Sequence, residues 1–370
     1  MENKRNANPI GAWKVFRGLP RPTLFIPLVL IGAFLPLVLQ LQAQQSAATP
    51  STADSLARAE TLLRQSKPTE ALAILNEIGA KEPKAPGLEA KLGKAYFQSR
   101  RFPDAISHLK IALQQNPDDM ESTQLLGLCF FGSGEYAQAA PLLEKLGPEL
   151  PKGNADGPFL LGICYIMTKR WDDARRTFAN MFSVAPDSSM AYLMFGKILI
   201  RQRMEDAAVP EIEKALQLDP RLPMAHFLLG EIDLFKKNPQ AAVAEFQKEL
   251  AINPTVWLVY WRLGDAYVQM DNYDDAEKVL KEAIWLNEWS SGAYILMGQI
   301  ALKRGDSDLA IGFLEKAERL DPQNHWVHFF LAKAYRNVGR NEEAAKHFEI
   351  SRSIRNDQLA EDRNMLQTAP

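Results

Sequence analysis

Few side chains in this 370-residue chain are spaced for chemistry. His325 and His328 lie three apart, a helical spacing that could present two imidazoles to one metal ion. No Glu-rich motif accompanies them, so the expected reading is a pair of surface or partly packed residues, with a hydrolase built on them ranked last. His108, His226 and His347 are scattered. The two cysteines, Cys129 and Cys164, are too few for a four-Cys zinc site or a disulfide-rich scaffold. They occupy equivalent places in neighbouring helical units. Packed helix axes stand about 8–10 Å apart, whereas a disulfide needs Cα atoms within about 7 Å. Two free, buried thiols are expected. There is no phosphate-binding loop and no strand-based glycine fingerprint. The chain therefore reads as non-enzymatic, with no catalytic residue, cofactor or metal assigned.

The composition is that of a folded protein, 46% hydrophobic and 24% charged with a formal net charge of −2. That excludes wholesale disorder and gives no sign of a strongly basic nucleic-acid binder. The charge is uneven. Residues 1–43 carry Lys4, Arg5, Lys14, Arg17 and Arg21 against Glu2 alone, so the rest of the chain is acidic. Behind this basic region (1–22), an uncharged apolar segment runs from Thr23 to Leu41 within residues 23–43. Basic residues on the N-terminal flank hold that end in the cytoplasm and place the chain beyond residue 41 across the membrane. The segment reads either as a cleaved signal, with Pro36 near its end and small residues at Ala43 or Ala48, or as a retained anchor. The cleaved signal is preferred. A polar linker, 44–51, comes next.

The elements that must position any site come from a repeat. Gly or Ala recurs at Ala59, Gly93, Gly127, Gly162, Gly196, Gly230, Gly264, Gly298 and Ala332, always 34 residues apart except for one step of 35. Twelve residues after each comes an alanine, from Ala71 to Ala344, and four further on a large apolar residue such as Leu75, Leu109, Phe246 or Leu314. A proline closes seven of the nine units, with Glu288 and Asn356 as departures. Two helical stretches, a short break and a helix stop make an antiparallel pair. The small residues let its two backbones approach. Gly134, Gly305 and Gly339 fall where the first helix must end, suited to a left-handed cap. Each pair leaves an apolar face that only a neighbouring pair can cover.

This pattern resembles the tetratricopeptide repeat, a 34-residue helix–turn–helix unit. The resemblance covers 52–358 as nine units: 52–85, 86–119, 120–153, 155–188, 189–222, 223–256, 257–290, 291–324 and 325–358. It implies an all-α fold, an α-solenoid of antiparallel helix pairs wound into a right-handed superhelix. The first unit departs most, with Arg58 where others have Leu, and the ninth lacks its proline and carries Lys346, Arg352 and Arg355. Residues 359–370 are expected to be a frayed helix end. The long step falls at Pro151–Pro158, where a longer turn is expected to change the superhelical twist slightly.

The resemblance also implies that first helices line a concave, partner-binding face. Its candidate residues are Leu128, Phe131, Phe159, Ile163, Ile166, Leu193, Phe227, Trp261, Ile295 and Phe329, most apolar from Leu128 to Ile166. Two readings stay open for them, helix-on-helix packing or a groove for an apolar segment. No unit has the Lys and Asn, at fifth and ninth positions, with which some family members clamp a terminal carboxylate. With twelve residues after the last unit, no fused catalytic domain is expected. The leading expectation is a non-catalytic scaffold of the cell envelope, in bacterial style, binding a protein or peptide partner outside the cytoplasm. It would touch the membrane only through an uncleaved leader. The alternative is the substrate-binding arm of an enzyme whose catalytic chain is separate.

Overall fold

The computed structural model describes residues 51–147 and 157–368. The basic region, the apolar segment and nearly all of the linker lie outside them, as does most of the turn at 151–158. Among the described residues there are helices and no strands. The nine pairs are α1 (Thr52–Arg64) with α2 (Pro68–Lys81), α3 (Leu88–Gln98) with α4 (Phe102–Gln115), and α5 (Met120–Gly132) with α6 (Tyr136–Leu146). Next come α7 (Gly157–Met167) with α8 (Trp171–Met181), α9 (Ser189–Arg201) with α10 (Glu205–Leu218), and α11 (Ala225–Phe235) with α12 (Pro239–Ile252). The last three are α13 (Trp257–Gln269) with α14 (Tyr273–Leu286), α15 (Ser291–Lys303) with α16 (Ser307–Leu320), and α17 (His325–Asn337) with α18 (Asn341–Thr368). The architecture is an α-solenoid.

Every substantial helix–helix contact lies within a unit or with the next one. First helices touch directly at four junctions, α3 with α5, α11 with α13, α13 with α15 and α15 with α17, while second helices make no comparable contact with each other. The stack therefore closes on the side of the first helices, which makes that side the inner face.

The small residue on each first helix has a specific counterpart. A Cβ on Gly93 would come 2.5 Å from Leu109, on Gly162 2.5 Å from Phe178, on Gly230 2.5 Å from Phe246 and on Gly298 2.5 Å from Leu314. These are the large apolar residues sixteen positions later. So the space that glycine vacates is filled by a side chain from the second helix, and the close approach is side chain to backbone. The alanine twelve residues on is fully buried in every unit from Ala71 to Ala310.

The left-handed turn between the helices is equally regular. Gly134, Gly305 and Gly339 adopt it with φ of 75°, 83° and 82°. In the other six units a non-glycine residue is also left-handed there, at φ of 56–61°: Ser66, Arg100, Lys169, Arg203, Lys237 and Asp271. An L-residue there costs roughly 1–2 kcal/mol, so packing of the pair imposes the turn whatever the residue.

The proline stop proves dispensable. Asn116 and Asn253, each before a proline, are extended at φ −138° and −137°, as the proline ring requires. Asn287 precedes Glu288 instead and takes the same conformation, φ −149° and ψ 94°. In the fourth unit the second helix stops at Met181, ahead of Pro186, through a left-handed Ser183 at φ 55°. At the C-terminus, α18 continues past residue 358 to Thr368.

Two substitutions test the packing. Gly230→Ala should destabilise the protein by about 1–3 kcal/mol, because Phe246 is fully buried and cannot yield without repacking. Gly312→Ala, on an exposed helical glycine with nothing within 4 Å of its Cβ, should stabilise by about 0.5–1 kcal/mol, both read from denaturant midpoints. For the turn, Arg100→Gly should raise the unfolding midpoint, by up to about 1 kcal/mol, since it removes the left-handed penalty at an exposed site.

Candidate functional site

The ten inner-face candidates divide by burial. Ile163, Ile166, Leu193, Phe227 and Ile295 lie in the hydrophobic core, where neighbouring units press on them. There they pack helix on helix, and Ile295 also borders open space. Leu128, Phe131, Trp261 and Phe329 are half-buried. Phe159 is 42% exposed, its ring set edge-on against Phe178 at 5.9 Å. Of the five candidates from Leu128 to Ile166, the most apolar by sequence, packing takes up Ile163 and Ile166 and leaves the other three partly open.

Open clefts occur at several places along the stack, one of them at its C-terminal end. A cleft of about 420 Å³ lies across the first helices of the seventh, eighth and ninth units. Its walls include Trp261 and Asp265 of α13, Ile295 and Gln299 of α15, and Trp326 and Phe330 of α17. Trp326 stacks on Phe330 at 5.9 Å and is itself 52% exposed. Trp261 is wedged in place because α15 offers Gly292 beneath its indole, where a Cβ would meet the ring at 2.6 Å. Its indole N–H is buried with no hydrogen-bond partner among the described residues. A second cleft of about 400 Å³ shares Gln299 and Phe330 and is walled by Lys303, Lys333 and Arg336. The Lys333 ammonium also sits 4.4 Å above the Phe329 ring. Apolar and basic walls therefore meet at Phe330.

Several charged groups of the inner face neutralise one another. Glu60 accepts from Lys91 and Lys94, both at 3.0 Å, and Lys94 also pairs with Glu121 at 2.7 Å. Burial alone would raise the Glu60 carboxyl, but the hydrogen bonds and charges of the two lysines prevail and hold it at about 2. Arg262 likewise pairs with Glu231 and, at 2.7 Å, with Asp265.

The histidines that sequence spacing joined are not partners. His325 has its ring against Trp326 at 4.6 Å, and burial together with the charge of Arg355 favours its neutral form. His328 instead faces His347, with Nδ1 atoms 3.0 Å apart, and both rings are buried. Burial also depresses the His347 imidazole. The i,i+3 spacing was the wrong signal. The informative one was the unit register: the two residues stand nineteen apart, as do the His–Glu pairs of two other units.

Cys129 and Cys164 are free and buried. Burial pushes both thiols up to about 12. Neither should react with Ellman's reagent within minutes at pH 8 in native buffer, and both should react once the chain is denatured.

No described helix is long and apolar enough to cross a membrane, and residues 23–41 lie outside that statement. The fold and its register define a protein made of stacked helical hairpins. Two sequence profiles of the tetratricopeptide repeat match the chain, one over residues 90–154, 193–256 and 262–325, the other over 130–194, 236–284 and 301–361. The chain belongs to the tetratricopeptide repeat family. Among solved structures it is similar to MamA, with 25% identity and a TM-score of 0.40 over 45% of this chain and 96% of that one. It is also similar to YrrB, described as a TPR protein with an unusual peptide-binding site, with 20% identity and a TM-score of 0.41 over 51% of this chain and 95% of that one. Yeast Tom70 is 17% identical, with a TM-score of 0.40 over 82% of this chain and 76% of that one. No curated protein sequence matches this chain.

Proposed function

We propose that this chain is a non-catalytic interaction scaffold that holds a short segment of a partner protein in the cleft of its last three units. The observation that carries the reading is the cleft itself, with Trp261, Trp326 and Phe330 converging from α13 and α17 onto one opening. Aromatic side chains of this kind supply large, rigid contact area and are the usual anchors of a binding surface. The adjoining Lys303, Lys333 and Arg336 select for an acidic group beside the apolar one. The favoured occupant is therefore a peptide with an aromatic or aliphatic residue next to Asp or Glu. The basic flank and apolar stretch of residues 1–41 support a location outside the cytoplasm for the repeats, as a periplasmic, secreted or inner-membrane-anchored protein.

Trp326 is the cleaner probe than Trp261, because Trp261 also packs on Gly292 and its loss would cost stability. Peptides selected from a random displayed library on the full chain should be enriched in the apolar–acidic pattern. Trp326→Ala should weaken the best of them about tenfold or more while leaving the melting temperature within about 2 °C. Selected peptides that bind Trp326→Ala and Lys333→Ala as tightly as the parent would remove this cleft as the binding site.

A further inference from the structure

One pair of positions, nineteen residues apart, meets across the helix pair in several units. In the second unit Glu89 and His108 meet there at 2.7 Å, and in the sixth His226 and Glu245 meet at 2.7 Å. Each is a base paired with an acid. In the ninth unit both places are histidine, His328 and His347, with Nδ1 atoms 3.0 Å apart. The carboxylate comes instead from the preceding unit: Glu318 Oε1 lies 3.7 Å from His328 Nδ1 and 4.0 Å from His347 Nδ1. Three consecutive helices, α16, α17 and α18, thus contribute one donor atom each to a single point.

The protonation of His328 follows from its other nitrogen. Nε2 is 2.9 Å from the carbonyl oxygen of Pro322, which can only accept, so Nε2 carries the hydrogen. A neutral ring then has a bare lone pair on Nδ1, aimed into the cluster, and the carbonyl fixes both tautomer and ring orientation, as the outer partner of a ligating histidine does. The ring centres of His328 and His347 are 5.3 Å apart while the two nitrogens are 3.0 Å apart, so the rings meet edge to edge with nitrogens between them. In the metal-free protein His347 Nδ1 therefore carries a hydrogen and donates it to the His328 lone pair, an ordinary hydrogen bond between neutral rings. The third donor makes a second occupant of that space possible. The three atoms form a triangle with sides of 3.0, 3.7 and 4.0 Å whose in-plane centre lies about 2.1 Å from each, so zinc at its bond lengths to nitrogen and oxygen would reach a tetrahedral arrangement only once the donors shift. A proton shared between two imidazoles needs no carboxylate at that radius.

We infer that Glu318, His328 and His347 form a binding site for a divalent transition-metal ion of the zinc class. Two imidazoles and a carboxylate suit zinc, cobalt or nickel better than magnesium or calcium, which take oxygen donors. His328 and His347 are 3% and 9% exposed, whereas the Glu318 side chain is 33% exposed and marks the side from which the ion and a completing water enter. Binding requires each imidazole to turn its Nδ1 lone pair about 45° away from the line joining the two nitrogens, so the Nε2 hydrogen bond of His328 to Pro322 must bend as the ion enters. The hydrogen held on His347 Nδ1 in the metal-free protein passes to its Nε2, so the ring stays neutral. The bound ion would join the ninth unit to the eighth. The site is separate from the peptide cleft and stands or falls independently of it.

The test uses the full chain without an affinity tag, stripped with chelator and titrated with zinc chloride and, separately, cobalt chloride. The expected result is saturable one-to-one zinc binding and a melting temperature that rises by several degrees in excess zinc. Cobalt should give visible absorption bands of a four- or five-coordinate site. His347→Ala and Glu318→Gln should each weaken zinc binding at least about tenfold, and His325→Ala should leave it unchanged. Should His347→Ala fail to fold by circular dichroism, Glu318→Gln carries the test, because its side chain is partly exposed. A parent protein whose melting temperature responds to pH but not to zinc, and which shows no cobalt bands, would make the pair a proton-sharing contact and overturn the proposal. Zinc binding that survives both substitutions would overturn it too.

Discussion

A missing side chain governs this structure. On most first helices the residue facing the second helix is glycine, and the void is filled by a leucine, isoleucine or phenylalanine sixteen positions later. Van der Waals contact at such distances leaves no room for a methyl group, and interiors packed this densely transmit any excess volume to their neighbours. The crossing of each helix pair follows from that contact, and so does the regular burial of the following alanine. Once the pair is fixed, the connecting turn has a single solution, which explains why arginine, lysine and aspartate accept a left-handed conformation there. Termination of the second helix is set the same way, since Asn287 takes the stop conformation without a proline behind it.

Much of this was legible in the sequence because a repeat reports each constraint nine times. Gly230 alone would say little, but Gly230, Ala242 and Phe246 in register with their counterparts define a helix pair and its packing. The inner face was less legible. Its candidates came from position within the unit, and position cannot separate a side chain that faces a neighbouring helix from one that faces water. Ile166 and Phe159 are both apolar residues of one helix, yet one is fully buried and the other open. The histidine cluster was hidden for a related reason. His328 and His347 are close only because two helices are antiparallel, and Glu318 joins them only because one unit stacks on another.

The inner face is divided by charge. Toward the N-terminal end, lysines and glutamates of successive units satisfy one another, as Lys94 does with Glu60 and Glu121, and leave little for a ligand. Toward the C-terminal end, Lys303, Lys333 and Arg336 gather on one cleft beside exposed aromatic rings. Selectivity along a face of this kind comes from which groups are already paired, since an ion already matched within the fold gains little from a new partner.

Contacts that reach only the adjacent unit have a mechanical consequence. A small rotation at one junction disturbs no other, so successive rotations add along the stack and the two ends can draw apart without any hairpin losing its core. In a stack joined only between neighbours, a load applied between the ends is shared among the junctions instead of falling on one.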